Sequence, residues 1–314
     1  MHDAWLHWSV TDRCNLNCHY CISFDSNAKT HDEIFKIDIP ALIKTLDKTN
    51  KVFRIGFVGG EPFLIPNIVE ACTEITKKHY ISFNTNLTSS NIKEFSKKIN
   101  PEKVLGIHAS LHIKELEKHN LLNRYIDNFL LCKEKGFVIN AVEVAHPSLL
   151  SQVKEYKKKF QRKKINIKFG EYIGEYNGKK YPESYTTKER NIFALSKENI
   201  KVHNQKGKVC NAGYNVGIVC QNGDIFQCYE IREKLGNIYE ENIIFKDKPI
   251  ICPIEFCGCP LKSYDEHLFE KATGIKSNRF SVIGLLTRRI DAREVPELLT
   301  KILTRSIKMF SPRS

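Results

Sequence analysis

The sequence predicts an α/β fold: an open, partial (β/α)6, TIM-like barrel, followed by a small cysteine-rich domain and a helical tail. Three observations carry this. Between Trp5 and Tyr172, short apolar runs alternate with amphipathic helical segments, the pattern of parallel βα units. Six such units fall short of the eight that close a barrel, so the sheet stays open. The segments richest in chemistry-bearing residues each follow a predicted strand, and ligands in parallel sheets gather at the carboxyl ends of the strands.

The elements follow in order. Strand one spans residues 5–10 and feeds a loop holding three cysteines. A helix begins near Pro40, a favoured first-turn residue, and places Leu42, Ile43 and Leu46 on one face. Strand two, residues 52–58, runs into Gly59-Gly60-Glu61-Pro62, and a helix follows Pro66. Strand three, residues 81–84, ends in an Asn-Thr-Asn turn that begins at Asn84. Strands four, five and six cover residues 104–111, 138–144 and 165–172, with a helix near Pro147 after the fifth. The domain plan is therefore 1–180 for the barrel, 181–208 for a polar linker, 209–266 for the cysteine-rich domain and 267–314 for a basic tail. From Leu268 onward the tail has ten Lys or Arg against four Asp or Glu. Its apolar residues from Val295 to Ile307 repeat at helical spacing, which predicts a helix packed on its own domain.

Composition narrows the function classes. The chain has 314 residues, 41% of them hydrophobic, which places it among ordinary globular proteins. No secretory signal is read at the N-terminus, because Asp3 and Arg13 bracket a stretch too short and too polar. The longest apolar stretches, such as 280–286, fall far below the roughly 20 residues that span a bilayer. A cytoplasmic location with no membrane span is expected. In a reducing compartment, clustered cysteines indicate metal or catalysis rather than disulfides. Nine of the 11 cysteines fall in two regions, 14–21 and 210–259, whereas Cys72 and Cys132 sit among apolar residues at helical spacing and read as core. The net charge of +13 hints at an anionic partner. Lysines spread along the whole length read more simply as solvated helix faces, which argues against nucleic acid.

Cys14-Asn-Leu-Asn-Cys18-His-Tyr-Cys21 puts three thiolates on one compact loop. Three thiolates can each hold one iron corner of a cubane and leave the fourth iron open. Three cysteines with His19 could equally hold zinc, and the spacing alone leaves both readings standing. The surroundings favour iron. The loop resembles the cluster-binding loop of the radical S-adenosylmethionine (radical SAM) superfamily, including the aromatic Tyr20 before the last cysteine. Gly59-Gly60-Glu61-Pro62 resembles that family's turn after strand two, which meets the methionine amino group of the cofactor; there Glu61 would accept from an ammonium. Asn84-Thr85-Asn86-Leu87-Thr88 is similar to the family's Thr-Asn-Gly turn, with Asn86 and Leu87 departing from the glycine form. Ser110, at the end of strand four, matches a ribose-contacting serine, and Glu143 lies in the adenine-side segment of strand five, where Asn140 stands in place of a usual glycine. The resemblance implies a [4Fe-4S] cluster on Cys14, Cys18 and Cys21. It also implies S-adenosylmethionine on the open iron and a 5′-deoxyadenosyl radical that abstracts hydrogen from an unactivated C–H bond.

In the second region, Cys210 and Cys228 flank a hairpin at Asn222-Gly223-Asp224, followed by Cys252, Cys257 and Cys259, with Cys220 between. This resembles the SPASM and twitch extensions of the same family and implies one auxiliary [4Fe-4S] cluster. Cys210, Cys228, Cys257 and Cys259 are the favoured ligands, Cys252 or Cys220 is a substitute, and zinc is the rival metal. The function expected is an oxidoreductase-type radical enzyme, catalysing oxidation or epimerisation of a peptide or a small molecule such as a sugar- or nucleotide-linked compound. Its electrons would come from a flavodoxin or ferredoxin. Strand one begins almost at once, with no peptide-docking segment before it, which favours the small molecule. On the substrate side, Glu171, Tyr172 and His112 are the candidate catalytic residues at the barrel mouth. The contrasting reading is a non-catalytic metal-binding module that docks RNA through its basic tail.

Overall fold

The computed structural model describes residues 2–21, 36–195 and 203–257. These belong to one compact unit, Met1–Ile275. Cys259, the tail at 267–314 and the linker residues 196–202 lie outside the described residues.

All six expected strands form, each within two residues of its expected limits: β1 (Ala4–Thr11), β2 (Phe53–Gly59), β3 (Tyr80–Thr85), β4 (Val104–Ser110), β5 (Ile139–Val144) and β6 (Ile167–Gly170). They pair in chain order, all parallel. Between them run α1 (Ile39–Lys48), α2 (Ile68–Thr76), α3 (Asn91–Lys98), α4 (Ile113–Lys118), α5 (Leu122–Glu134) and α6 (Val153–Arg162). Local chemistry sets the helix starts. At α1, the Asp38 carboxylate accepts from Ala41 N–H at 3.1 Å and Pro40 occupies the first turn.

Register explains the alternating pattern. Leu6, Ile55 and Ile81 align on one face, as do Trp8, Phe57 and Phe83, and the helices bury that face completely. Phe57 stacks on Phe83 with ring centroids 4.9 Å apart. Cys72 of α2 and Cys132 of α5 belong to this core, as their apolar neighbours foretold. The other face carries polar residues, with Asn84, His108 and Asn140 in register across β3, β4 and β5. Asn84 is exposed on an interior strand, so this face lines an open concavity instead of a second packed layer.

The polar stretch expected as a linker holds more structure than its composition suggests. A hairpin of β7 (Gly174–Tyr176) and β8 (Lys179–Tyr181) leads to α7 (Thr187–Phe193), which opens on a Thr186/Glu189 capping box. Phe193 is buried against Phe169, 5.2 Å between ring centroids, and with the partly buried Ile192 it anchors a charged helix. After β9 (His203–Asn204) and β10 (Val209–Cys210), the cysteine-rich region joins the main sheet. β11 (Val216–Val219) pairs parallel with the free edge of β1, and β12 (Asp224–Phe226) and β13 (Lys234–Asn237) continue antiparallel beyond it. Val216 and Ile218 cover Trp5 there. β14 (Ile250–Ile251) pairs with β10, and β15 (Phe256–Cys257) with β9. Among the described residues no helix is long and apolar enough to cross a membrane.

Candidate active site

The loop after β1 presents Cys14 and Cys21 to solvent and buries Cys18. A tight turn closes it, with Cys21 N–H donating to the Cys18 carbonyl at 3.0 Å. Leu16 N–H points at Cys14 Sγ (3.4 Å) and the Asn86 amide nitrogen lies 3.7 Å from the same sulfur. Donors aimed at a sulfur favour its thiolate, the form that ligates metal. Burial acts the other way and pushes the Cys14 thiol up to about 11, and Cys18 further still. Loading with metal should therefore release protons from this loop. The donor set fits an iron–sulfur cluster held by three cysteines.

The Gly59-Gly60-Glu61-Pro62 turn is fastened to that loop through backbone alone. Gly60 N–H donates to the Thr11 carbonyl (2.7 Å) and Glu61 N–H to the Arg13 carbonyl (2.8 Å). A Cβ on Gly60 would collide with the Arg13 carbonyl oxygen, and Gly59 adopts φ +124°, so both positions require glycine. Pro62 then opens a single 3-10 turn, Pro62–Leu64.

Glu61 is held from within the chain. Its carboxylate is fully buried, and both oxygens are engaged within the chain. Oε1 accepts from Phe63 N–H (3.0 Å) and the Thr85 hydroxyl (2.7 Å), and Oε2 from Asn86 N–H (2.6 Å). The side chain thus braces the turn after β3; no oxygen is exposed to meet an ammonium. That turn in turn reaches back to the cysteine loop. Asn86 Nδ2 donates to Asn15 Oδ1 (2.8 Å), Asn15 Nδ2 to the Thr88 hydroxyl (2.9 Å), and the Thr88 hydroxyl to Asn86 Oδ1 (2.6 Å). Leu87 holds φ +59°, a conformation natural to the family's glycine, and its carbonyl accepts from Asn128 Nδ2 at 2.9 Å.

Across the loop, Tyr20 meets β4 and β5. Its hydroxyl lies 3.1 Å from His112 Nδ1 and 3.4 Å from Glu143 Oε1. Glu143 also accepts from Ile113 N–H (2.7 Å) and Val144 N–H (2.8 Å). His112 caps α4 in the left-handed region, φ 41°, and burial lowers it to about 4, so its ring is neutral at neutral pH. His146, which sequence reasoning passed over, stacks on Tyr20 (5.6 Å) and faces the His19 ring, Nε2 to Nε2 3.4 Å. Ser110 is half-buried at the end of β4.

Glu171 and Tyr172 are committed elsewhere. Glu171 Oε1 pairs with Arg190 of α7 at 3.1 Å, and the Tyr172 hydroxyl donates to the Glu175 carbonyl at 2.9 Å. These contacts fasten the β6–β8 region and α7. Arg190→Met, which removes the ion pair of a buried carboxylate, is expected to cost about 3 kcal/mol in chemical denaturation while leaving iron content unchanged.

In the second cysteine region, Cys210 and Cys252 are buried together with Cys228 packed against them. Cys257 lies close enough to act, with Cys252 and Cys228, on the ionisation of Cys210. Pairing of β10 with β14 sets Cys210 beside Ile250, adjacent in sequence to Cys252's neighbour Ile251. Cys252, which the sequence left as a substitute ligand, thus lies with this group, while Cys259 falls outside the described residues. Cys220 stands apart, its sulfur accepting from Arg232 at 3.4 Å. Among the described residues, no three His, Cys, Asp or Glu side chains are placed to hold a single metal ion; this covers both cysteine groups. The residues missed from sequence alone, His146 and Arg190, act through contacts that only the folded chain creates, as do Thr85 and Asn86 of the turn after β3.

Residues 8–155 match the family model described as Radical SAM superfamily. An uncharacterized protein of Methanocaldococcus jannaschii is 36% identical over 122 residues, 37% of this chain and 40% of that protein. A GTP 3′,8-cyclase of Moorella thermoacetica is 32% identical over 72 residues, 23% of this chain and 22% of the cyclase. The chain thus matches less than half the length of either relative. Among solved structures, anSMEcpe with bound AdoMet has a TM-score of 0.57 at 19% identity, covering 88% of this chain and 84% of that one. Streptococcus suis SuiB bound to precursor peptide SuiA has a TM-score of 0.52 at 18% identity, covering 78% and 65%. At such identities the likeness shows the fold. With a three-cysteine loop after β1 and a glycine turn after β2 locked to it, residues 8–155 form a radical SAM domain.

Proposed function

We propose that the protein uses S-adenosylmethionine and a [4Fe-4S] cluster on Cys14, Cys18 and Cys21 to abstract hydrogen from an unactivated C–H bond of its substrate. The observation that carries this is the hydrogen-bonded unit of the cysteine loop, the glycine turn and the turn after β3. Bound there, the reduced cluster and its cofactor would supply a 5′-deoxyadenosyl radical. The chain's own part is positioning. Gly59 and Gly60 let backbone approach the methionine end, and Glu61 fixes the turn that carries Asn86 against Cys14. Tyr20, Ser110 and Glu143 border the nucleoside side, with the Tyr20 hydroxyl held by neutral His112. Asn84 stands exposed on the concave face.

Cys210, Cys228, Cys252 and Cys257 would hold one auxiliary [4Fe-4S] cluster, in the manner of SPASM and twitch regions. Such a cluster suits a net oxidation, because it can take the electron left on the substrate; a flavodoxin- or ferredoxin-type carrier would serve the first cluster. Relatives fall on both sides of the substrate question, since one is a GTP 3′,8-cyclase and a structural neighbour binds a precursor peptide. After anaerobic reconstitution with iron and sulfide, dithionite and S-adenosylmethionine should yield 5′-deoxyadenosine. A non-catalytic RNA-docking module would yield none. Cys252→Ala should lower bound iron from about eight to about four atoms per chain, and Cys259→Ala should not. The reverse pattern would return the fourth ligand to Cys259.

A further inference from the structure

Both polar atoms of the Asn86 side chain have assigned partners. Its Oδ1 accepts from the Thr88 backbone N–H at 3.1 Å and from the Thr88 hydroxyl at 2.6 Å. A backbone N–H can only donate, so the amide oxygen must face Thr88 and the amide nitrogen must face the other way. That nitrogen has two hydrogens to place. Asn15 Oδ1 accepts one at 2.8 Å, and the Cys14 sulfur lies 3.7 Å away for the other. Asn15 closes a ring by donating from Nδ2 to the Thr88 hydroxyl oxygen at 2.9 Å. Asn86 is 4% exposed and Thr88 2%, so water competes little for these groups. The backbone N–H of Asn86 is held too, by Glu61 Oε2 at 2.6 Å. One residue thus stands between a carboxyl group and a cluster ligand, and turns an N–H to each.

We propose that the Asn86 amide N–H, fixed by the ring of Asn15, Asn86 and Thr88, eases reduction of the cluster on Cys14, Cys18 and Cys21; this rests on the radical SAM reading above. An added electron makes the cluster and its thiolates more negative, and hydrogen bonds to sulfur stabilise that charge. The surroundings of Cys14 oppose it, because desolvation, the Glu61 carboxyl and Cys21 all disfavour negative charge on this sulfur. Two donors act against them, Leu16 N–H at 3.4 Å and the Asn86 amide. The Leu16 donor lies two residues from the sulfur and belongs to the cysteine loop itself. The Asn86 donor comes from the turn after β3, so it reaches the sulfur only when that turn is docked on the loop. Orientation matters here: a flipped amide would set its oxygen against the thiolate and reverse the effect. Asn86 acts through Cys14 and is therefore a positioning residue for the cluster.

The test is a reductive titration of the full chain, reconstituted with iron and sulfide and followed by electron paramagnetic resonance. The signal that S-adenosylmethionine alters identifies the cluster on this loop. Asn86→Leu is expected to make reduction at least tenfold less favourable, about 59 mV for one electron, with bound iron as in the parent. Thr88→Val keeps the amide but removes the hydroxyl that orients it, and should shift the equilibrium several-fold in the same direction. In D2O, the hyperfine spectrum of Asn86→Leu should lack one exchangeable coupling that the parent shows. Asn128→Ala is the control. It frees the Leu87 carbonyl of the same turn without touching Cys14, and should leave reduction within twofold of the parent. The proposal is overturned by unchanged reduction in Asn86→Leu, by retention of every exchangeable coupling in that variant, or by an equal shift in Asn128→Ala. Should Asn86→Leu fail to hold iron, Thr88→Val decides, and unchanged reduction there overturns the proposal. A parent chain with no signal altered by S-adenosylmethionine strikes the radical SAM reading itself, and the two failures are thereby told apart.

Discussion

Cys18→Ala is expected to abolish 5′-deoxyadenosine formation and to remove about four iron atoms per reconstituted chain. Each thiolate of the loop after β1 would hold one iron corner, so two are too few to keep the cluster through reduction. Cys18 is the strictest position of the three. It is buried whereas Cys14 and Cys21 are exposed, so neither water nor an added thiol can reach in to replace it. Cys72→Ala is the matched control: that thiol is buried in α2, away from the loop, and its loss should spare iron and turnover at a modest cost in stability. Retention of iron and product by Cys18→Ala would sink the assignment.

Glu61→Ala should be nearly as damaging to turnover, through the turns rather than the iron. It strands the Thr85 hydroxyl and the Phe63 and Asn86 amides, all buried donors. Unpaired buried donors cost about 1–3 kcal/mol each, so a loss of at least 3 kcal/mol is expected in denaturant unfolding, with S-adenosylmethionine cleavage falling at least tenfold. The same residue confers a pH dependence. Burial raises the Glu61 carboxyl from 4.5 to about 7. The folded chain therefore keeps a proton that the unfolded chain releases, and the associated stability is full below pH 4.5 and gone above about 7. Over that window the parent should lose on the order of 3 kcal/mol that a Glu61→Gln variant, compared by slope and not by absolute stability, does not lose. Parallel slopes would mean that the carboxyl ionises in the fold as freely as in water.

What was legible in the sequence divides along a physical line. Strands were readable because their helix-side residues, such as Leu6, Ile55 and Phe83, must be apolar to be covered, and each unit repeats that demand. The metal loop and glycine turn were readable because thiolates and the absence of a Cβ have no substitutes. The partners of Glu61 left no sign, because a carboxylate looks the same in sequence whatever donors it meets. The partners of Glu171 and Tyr172 were hidden for a related reason: Arg190 comes from the 181–208 stretch whose polarity suggested a linker, and Glu175 offers only its backbone carbonyl. His146 left no sign at all, since a lone histidine before Pro147 gains meaning only when Tyr20 stacks on it.

The pairing of β1 with β11 bears on how the chain comes into being. Trp5 meets Val216, a partner roughly two hundred residues later in synthesis. Until that segment emerges, β1 has one edge bare, and a bare apolar edge is a template for association with other chains. Closing so long a loop is slow compared with forming the neighbouring βα units. Expression of residues 1–195 alone should accordingly give self-associating material, whereas the longer chain protects itself by adding β11, β12 and β13 beside β1.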